Sequence, residues 1–262
     1  MKKLTVIAFM VVLIFGLTAC NGNSTSQLES AQQKVDSASI IVRQVIDVLL
    51  SNALTATVEL ADHQELINAI ASDDRDEVLR VANKLKQVAG LDFIIITDNN
   101  GIVLARTMDP LSYGDNVAHI PHVKNALNGN TMSSIEAGIS IHLTTIACAP
   151  VYSDNMNLIG AVQLGYRLDE QELVLGMKEL TGCEITIFRF DERIATTIMY
   201  EDGMFAIGTV VRDDVVEKVF AGETHTEKTH IFGNEAFVRY DPLFDAENQV
   251  IGMISVAEFI GN

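Results

Sequence analysis

The sequence predicts an α+β protein: one long N-terminal helix, then two copies of one module, each with an antiparallel sheet. Three observations carry this. Residues 27–62 contain neither Pro nor Gly and repeat apolar or small residues every seven positions: Leu28, Val35, Val42, Leu49 and Ala56, with Ala31, Ala38, Val45 and Asn52 between them. After Gly90 the apolar period shortens to that of strands, broken by turn residues. Finally, landmarks recur at a nearly constant offset. Pro150-Val151-Tyr152 matches Pro242-Leu243-Phe244, and Ile159-Gly160-Ala161-Val162 matches Ile251-Gly252-Met253-Ile254, 92 residues apart. Gly129 matches Gly222 at 93 and Gly114 matches Gly208 at 94.

The long helix presents its stripe either to a second copy of the chain, as a homodimer seam, or to its own domain. Residues 63–72 read as a second helix and 77–89 as a third. The acids of Asp73-Asp74-Arg75-Asp76-Glu77 complement the positive end of the third helix. Strands are expected at 93–97 and 102–106 around the turn Asp98-Asn99-Asn100-Gly101. That turn lacks the oxygen ligands of a calcium loop, because its fifth position is Ile102. A short helix at 122–127 and strands at 140–147 and 159–166 complete the first module. In the second, strands at 184–188 and 194–197, a helix at 215–220 and strands at 230–240 and 250–259 repeat the plan. The expected boundaries are 28–90 for the helical part, 91–172 for the first module and 173–262 for the second.

The chain has 262 residues, 48% of them hydrophobic, and a formal charge of −17. This length accommodates one large domain or two small ones. Lys and Arg number 18 against 35 acidic residues, with no basic run to neutralise phosphates, which argues against nucleic-acid binding. Three scattered cysteines make neither a disulfide scaffold nor a zinc site. An oxidising compartment permits a Cys148–Cys183 disulfide; two separately buried thiols are the simpler reading.

The first nineteen residues read as an address. Met1-Lys2-Lys3 is a basic start, residues 4–17 are an apolar run too short to span a bilayer, and Leu17-Thr18-Ala19-Cys20 resembles a bacterial lipobox. Residues 1–19 are then a lipoprotein signal peptide, Cys20 the lipidated residue and 20–27 a polar tether. The alternative is an uncleaved span with Cys20 at its end by chance. Losing Lys2 and Lys3 makes the body still more acidic, so acyl chains rather than anionic headgroups hold it to the membrane. The expected location is extracytoplasmic, on the periplasmic or cell-surface face of the cell membrane or outer membrane.

The order and wording of these segments resemble the double Cache sensor domains of bacterial chemoreceptors and sensor kinases, of the Cache 3/Cache 2 fusion type. In the first module the likeness rests on Leu91-Asp92-Phe93 leading to Asp98-Asn99-Asn100-Gly101, Tyr113-Gly114-Asp115-Asn116-Val117 and Gly160-Ala161-Val162-Gln163-Leu164-Gly165-Tyr166. In the second it rests on Leu180-Thr181-Gly182-Cys183-Glu184-Ile185, Arg193-Ile194-Ala195-Thr196-Thr197 and Val250-Ile251-Gly252-Met253. It covers residues 28–260. The resemblance implies PAS-like sheets and a small-molecule site in the first, membrane-distal module. The chain stops at Asn262, soon after its last strand, so the resemblance implies a receiving end whose output lies in a chemoreceptor or sensor-kinase partner. Two motifs of the family are absent. The Tyr, Arg and Trp cluster of amino-acid sensors is replaced by His119-Ile120-Pro121-His122-Val123, and two basic positions of citrate and fumarate sensors are Val103 and Ile146.

No catalytic motif is present: no GxSxG, SxxK, HExxH, Walker loop or dinucleotide fingerprint. No enzyme activity and no cofactor are expected. The histidines form no ligand set for a metal, since His119 and His122 straddle Pro121. Arg106, ending the second strand, offers a planar fork to an anion or forms a surface salt bridge. His142, expected on a strand, is a ligand donor or a core histidine, while Tyr113 and His122 sit where loops would cap the site. Arg189 and Arg193 flank the second hairpin, where packing or salt bridging is the expected role, and His225 and His230 are expected in solvent. The leading reading is a lipid-anchored small-molecule sensor working through a membrane partner. Its rivals are a delivery protein for a transporter and a structural envelope protein without a ligand.

Overall fold

The computed structural model describes residues 24–138 and 141–260. The signal segment and Cys20 lie outside these. Among the described residues, six helices and ten strands form two compact units: Asp47–Glu136 with Thr144–Arg167 form the first module, and the second is built mainly from Leu168 onward with the helix up to Ile46.

Helix α1 (Ser24–Ala61) follows the expected stripe, and the stripe is consumed within the chain. Val35, Val42, Val45 and Leu49 are buried. Near the start of α1, Lys34 reaches Glu258 at 2.8 Å and Asp36 accepts from Arg239 at 3.1 Å. In the first module Ala53, Leu60 and Ala61 join one core with α2 (Gln64–Ala71), α3 (Arg75–Ala89) and one face of the sheet. The seam reading is therefore corrected. A homodimer through α1 would have to use other residues, such as the exposed Ile40, Val48, Leu54 and Val58.

The acid cluster before α3 caps it: Asp74 accepts from the backbone of Asp76 and Glu77, and Gly90, with φ +67°, closes the helix in the left-handed region. The first sheet comprises β1 (Phe93–Asp98), β2 (Val103–Arg106), β3 (Met132–Ala137), β4 (Leu143–Tyr152) and β5 (Leu158–Arg167), in the order β2-β1-β5-β4-β3. The second comprises β6 (Glu184–Arg189), β7 (Glu192–Thr196), β8 (His225–Ile231), β9 (Asn234–Phe244) and β10 (Val250–Phe259), in the order β7-β6-β10-β9-β8. The two orders are the same, which is the repeat in three dimensions. Gly129 and Gly222, which follow the short helices α4 (Pro121–Leu127) and α6 (Asp213–Phe220), share φ near +85°. One more matching pair was hidden in the sequence. Thr107 accepts from the backbone N–H of Ile94, and Thr197 from that of Ile185, both at 2.9 Å.

Three elements differ from expectation. The edge strands β3 and β8 are mainly polar, because an edge buries little, and their pairing rests on β4 and β9. Phe232-Gly233 turns the chain between β8 and β9 where one continuous strand was expected. Helix α5 (Gln171–Thr181) precedes the second sheet; its internal Gly176 weakens the helical signal. Both Cys148 and Cys183 are free and buried, with thiols pushed up by burial to about 12 and about 11.

Candidate functional site

The first sheet has two covered faces. The face away from α2 and α3 carries a smaller apolar cluster of Val103, Cys148 and Ala161 with Val123 and Ala126 of α4. Strand pairing fixes which residues share this face. Gln163 is opposite Ile95 on one side and Cys148 on the other, and Thr97 is opposite Ala161. Gln163 is only 7% exposed. The Thr97 hydroxyl is buried without a partner. A buried hydroxyl is thus left open beside a largely buried amide on one face of one sheet, which buried groups rarely are.

Beside this face, α4 supplies His122, 1% exposed. Its Nε2 lies 2.7 Å from Ser134 Oγ, and Ser134 donates to Glu136 Oε1 at 2.6 Å. The serine has one proton and gives it to Glu136, so His122 Nε2 must be the donor to Ser134. Burial holds the imidazole pKa below its usual value, against the pull of Glu136. His122 is therefore a neutral, oriented ring at neutral pH. The sequence missed Ser134, Glu136, Thr97 and Gln163. The first two hide in the polar edge strand; Gln163, a lone amide in an apolar strand, was the one visible signal.

Arg106 shares the face with its cross-strand partner Ile95. Its Nη1 and Nη2 pair with the two oxygens of Asp115 at 2.7 and 2.8 Å, and Nη1 also donates to the Ser112 carbonyl at 2.9 Å. The fork ties down the loop after β2. Tyr113, 53% exposed, lies on that loop with the Arg75 guanidinium 3.7 Å from its ring centroid. Arg75 also donates to the Pro110 carbonyl. Val103 and Ile146 are buried apolar residues, so this face lacks the two cations they would replace.

His142 is not on a strand. It precedes β4, is exposed, and its backbone N–H and Nδ1 lie 3.1 and 3.0 Å from Asp169 Oδ2. Strand β4 begins one residue later, at Leu143, which takes the buried position. His225 and His230 belong to β8 rather than to a solvated connection. No group of three or more His, Cys, Asp or Glu able to hold a metal exists among the described residues.

Comparison with known proteins matches this architecture. A family model described as Single cache domain 3 covers residues 41–175, just over half of the chain, and another of the same description covers 166–259. No curated protein matches the chain by sequence. The periplasmic domain of LuxQ from Vibrio cholerae is similar in structure, with a TM-score of 0.60 at 13% identity over 86% of this chain and 99% of that one. The sensor domain of the V. cholerae histidine kinase DctB gives 0.57 at 13% identity, over 91% and 99%. The sensory domain of the Campylobacter jejuni chemoreceptor Tlp3, solved with isoleucine bound, gives 0.54 at 13% identity, over 90% and 95%. At these identities the likeness is one of fold. With a family model on each half and the same strand order in both sheets, the chain belongs to the Cache family and is built as a double Cache sensor domain.

Proposed function

We propose that this protein is an extracytoplasmic small-molecule sensor, held to the membrane by lipid on Cys20, which passes its signal to a separate membrane receptor or sensor kinase. The observation that carries the ligand-binding part is the buried, unpaired hydroxyl of Thr97, with the largely buried amide of Gln163 on the same sheet face, the face covered by α4. The His122–Ser134–Glu136 chain adds an oriented donor and a carboxylate beside them. Family membership supports a sensing role over catalysis, and the isoleucine bound by Tlp3 illustrates the size of ligand such a fold takes.

Tyr113, on the loop after β2, and Arg106, which ties that loop to the strand, enter this reading as the segment that a ligand would order. The Asp115 carboxylate already neutralises the Arg106 guanidinium, so Arg106 offers a ligand little net charge. A polar, uncharged ligand fits this better than a di- or tricarboxylate. His142 is left out, because Asp169 occupies its Nδ1. Signalling requires that the ligand bind one state of the loop better than another. A lipid anchor spans only one leaflet, so an extracytoplasmic body held this way needs a spanning partner to carry its signal.

A thermal-shift screen of the chain carrying Cys20→Ser, against amines, amino acids, nucleobases, sugars and organic acids, tests the binding. A ligand at about 100 times its Kd adds about 2.7 kcal/mol. The shift should vanish in Gln163→Leu. A hit retained in full by that variant discards the site, and no hit across the panel favours a structural role. Membrane pull-downs with and without the hit test the partner; recovering only a transporter would favour delivery instead.

A further inference from the structure

The second module carries an arginine whose charge has no counter-ion among the described residues. Arg193 on β7 lies opposite Phe188 of β6, with its guanidinium 5.1 Å from the Phe188 ring centroid. Its Nη1 donates to Thr209 Oγ1 at 2.6 Å, and its Nε is buried without a partner. Backbone bonds from Arg193 to Thr209 and from Gly208 to Arg193, both 2.9 Å, hold the covering loop against the strand. No carboxylate pairs with Arg193 among the described residues, although the chain as a whole is rich in acid. Burial accordingly pulls the guanidinium pKa below its usual value.

The same sheet face continues through further unpaired groups. Phe188 is opposite Met253, and one rung along, Ser255, Tyr240 and His225 stand side by side. Tyr240 is 5% exposed and stacks on His225, with ring centroids 6.2 Å apart. His225 Nε2 is buried without a hydrogen-bond partner. Tyr240 stands near enough to Arg193 for each to act on the other's charge. Glu227 Oε2 pairs with Arg212 at 2.7 Å and lies 3.9 Å from His225 Nε2, Glu227 Oε1 is buried without a partner, and Asp214 also pairs with Arg212, at 2.9 Å. Arg193, by contrast, meets no carboxylate among the described residues.

We propose that Arg193 anchors a second ligand site, in the second module, which takes a small monocarboxylate. The free Nε and Nη2 edge of the guanidinium meets the carboxylate, the fork geometry for which arginine is suited. The Tyr240 hydroxyl and His225 Nε2 supply the remaining polar contacts, and the Phe188 ring forms an apolar wall. One guanidinium without a carboxylate partner, beside an Arg212 already taken by Glu227 and Asp214, suits a single carboxylate better than phosphate or a dicarboxylate. This site is independent of the one on the first sheet.

The test is a titration of the full lipid-free chain with acetate and propionate, following the Arg193 Nε–H resonance, assigned by its loss in Arg193→Gln. The resonance should shift with each monocarboxylate and far less with inorganic phosphate, and Arg193→Gln should weaken binding by about tenfold or more, as expected for a charged hydrogen bond. Should Arg193→Gln fail to fold, Arg193→Lys supplies the assignment, and the wild-type titration still decides. No shift with either monocarboxylate, or an equal shift with phosphate, overturns the proposal.

Discussion

Asp241, 4% exposed on β9, stays ionised because its surroundings supply what water would. Burial alone would raise its carboxyl pKa, but hydrogen bonds from Arg239 at 2.9 Å, Ser39 at 2.5 Å and Thr224 at 2.6 Å bring it below the usual carboxylate range. Asp241→Asn should therefore destabilise the protein by about 1–3 kcal/mol, since it weakens charged hydrogen bonds in a buried setting and leaves Arg239 with Asp36 alone, read as a lower urea midpoint. Because the folded pKa is depressed, this stabilisation is present above the unfolded carboxylate pKa and is lost on acidification through the folded value. His122 also works against acid, in a different pH range. Its folded pKa lies below the unfolded one, so the unfolded chain binds the extra proton and stability falls as pH drops below the usual histidine value. Ring-proton NMR should place its midpoint below 6.5, the ordinary value. His122→Gln should remove that part of the pH dependence.

At the scale of elements, glycines report where strands press together. A Cβ on Gly165 of β5 would run into the carbonyl oxygen of Thr145 on β4, a backbone atom that cannot swing aside. Gly165→Ala should cost about 1–3 kcal/mol by overpacking, seen in the melting of the first module. Gly90 is different: a Cβ there meets nothing within 4 Å, and its φ of +67° is the only obstacle. Gly90→Ala should cost about 1 kcal/mol for the left-handed conformation. The helix ends, hairpin turns and central strands were legible in the sequence because their signals are local: period, cap residues and glycines. The edge strands β3 and β8 were not, since Met132–Ala137 and His225–Ile231 are too polar to show a strand period, and pairing with one neighbour decides them. The site shared this fate. His122 was visible as a residue of note, whereas Ser134 and Glu136, its partners, lie on one of those edges.

For the whole molecule, a charge of −17 sets how it meets a membrane. The chain without lipid should show no binding to anionic vesicles at low salt, measured by co-sedimentation, because its field opposes theirs. Cys20→Ser should move the protein from the membrane to the soluble fraction if the lipid is what retains it. The sequence by itself determined the long helix, the doubled α+β plan and the Cache likeness, because repetition and period need no knowledge of distant contacts. Only the tertiary structure decided which polar side chains are already spent. Arg106 meets Asp115 across a loop, His142 turns to Asp169, and Arg193 finds no acid among the described residues. Those outcomes depend on strand register and on which loop covers which face, so residues alike in sequence acquire opposite roles in space.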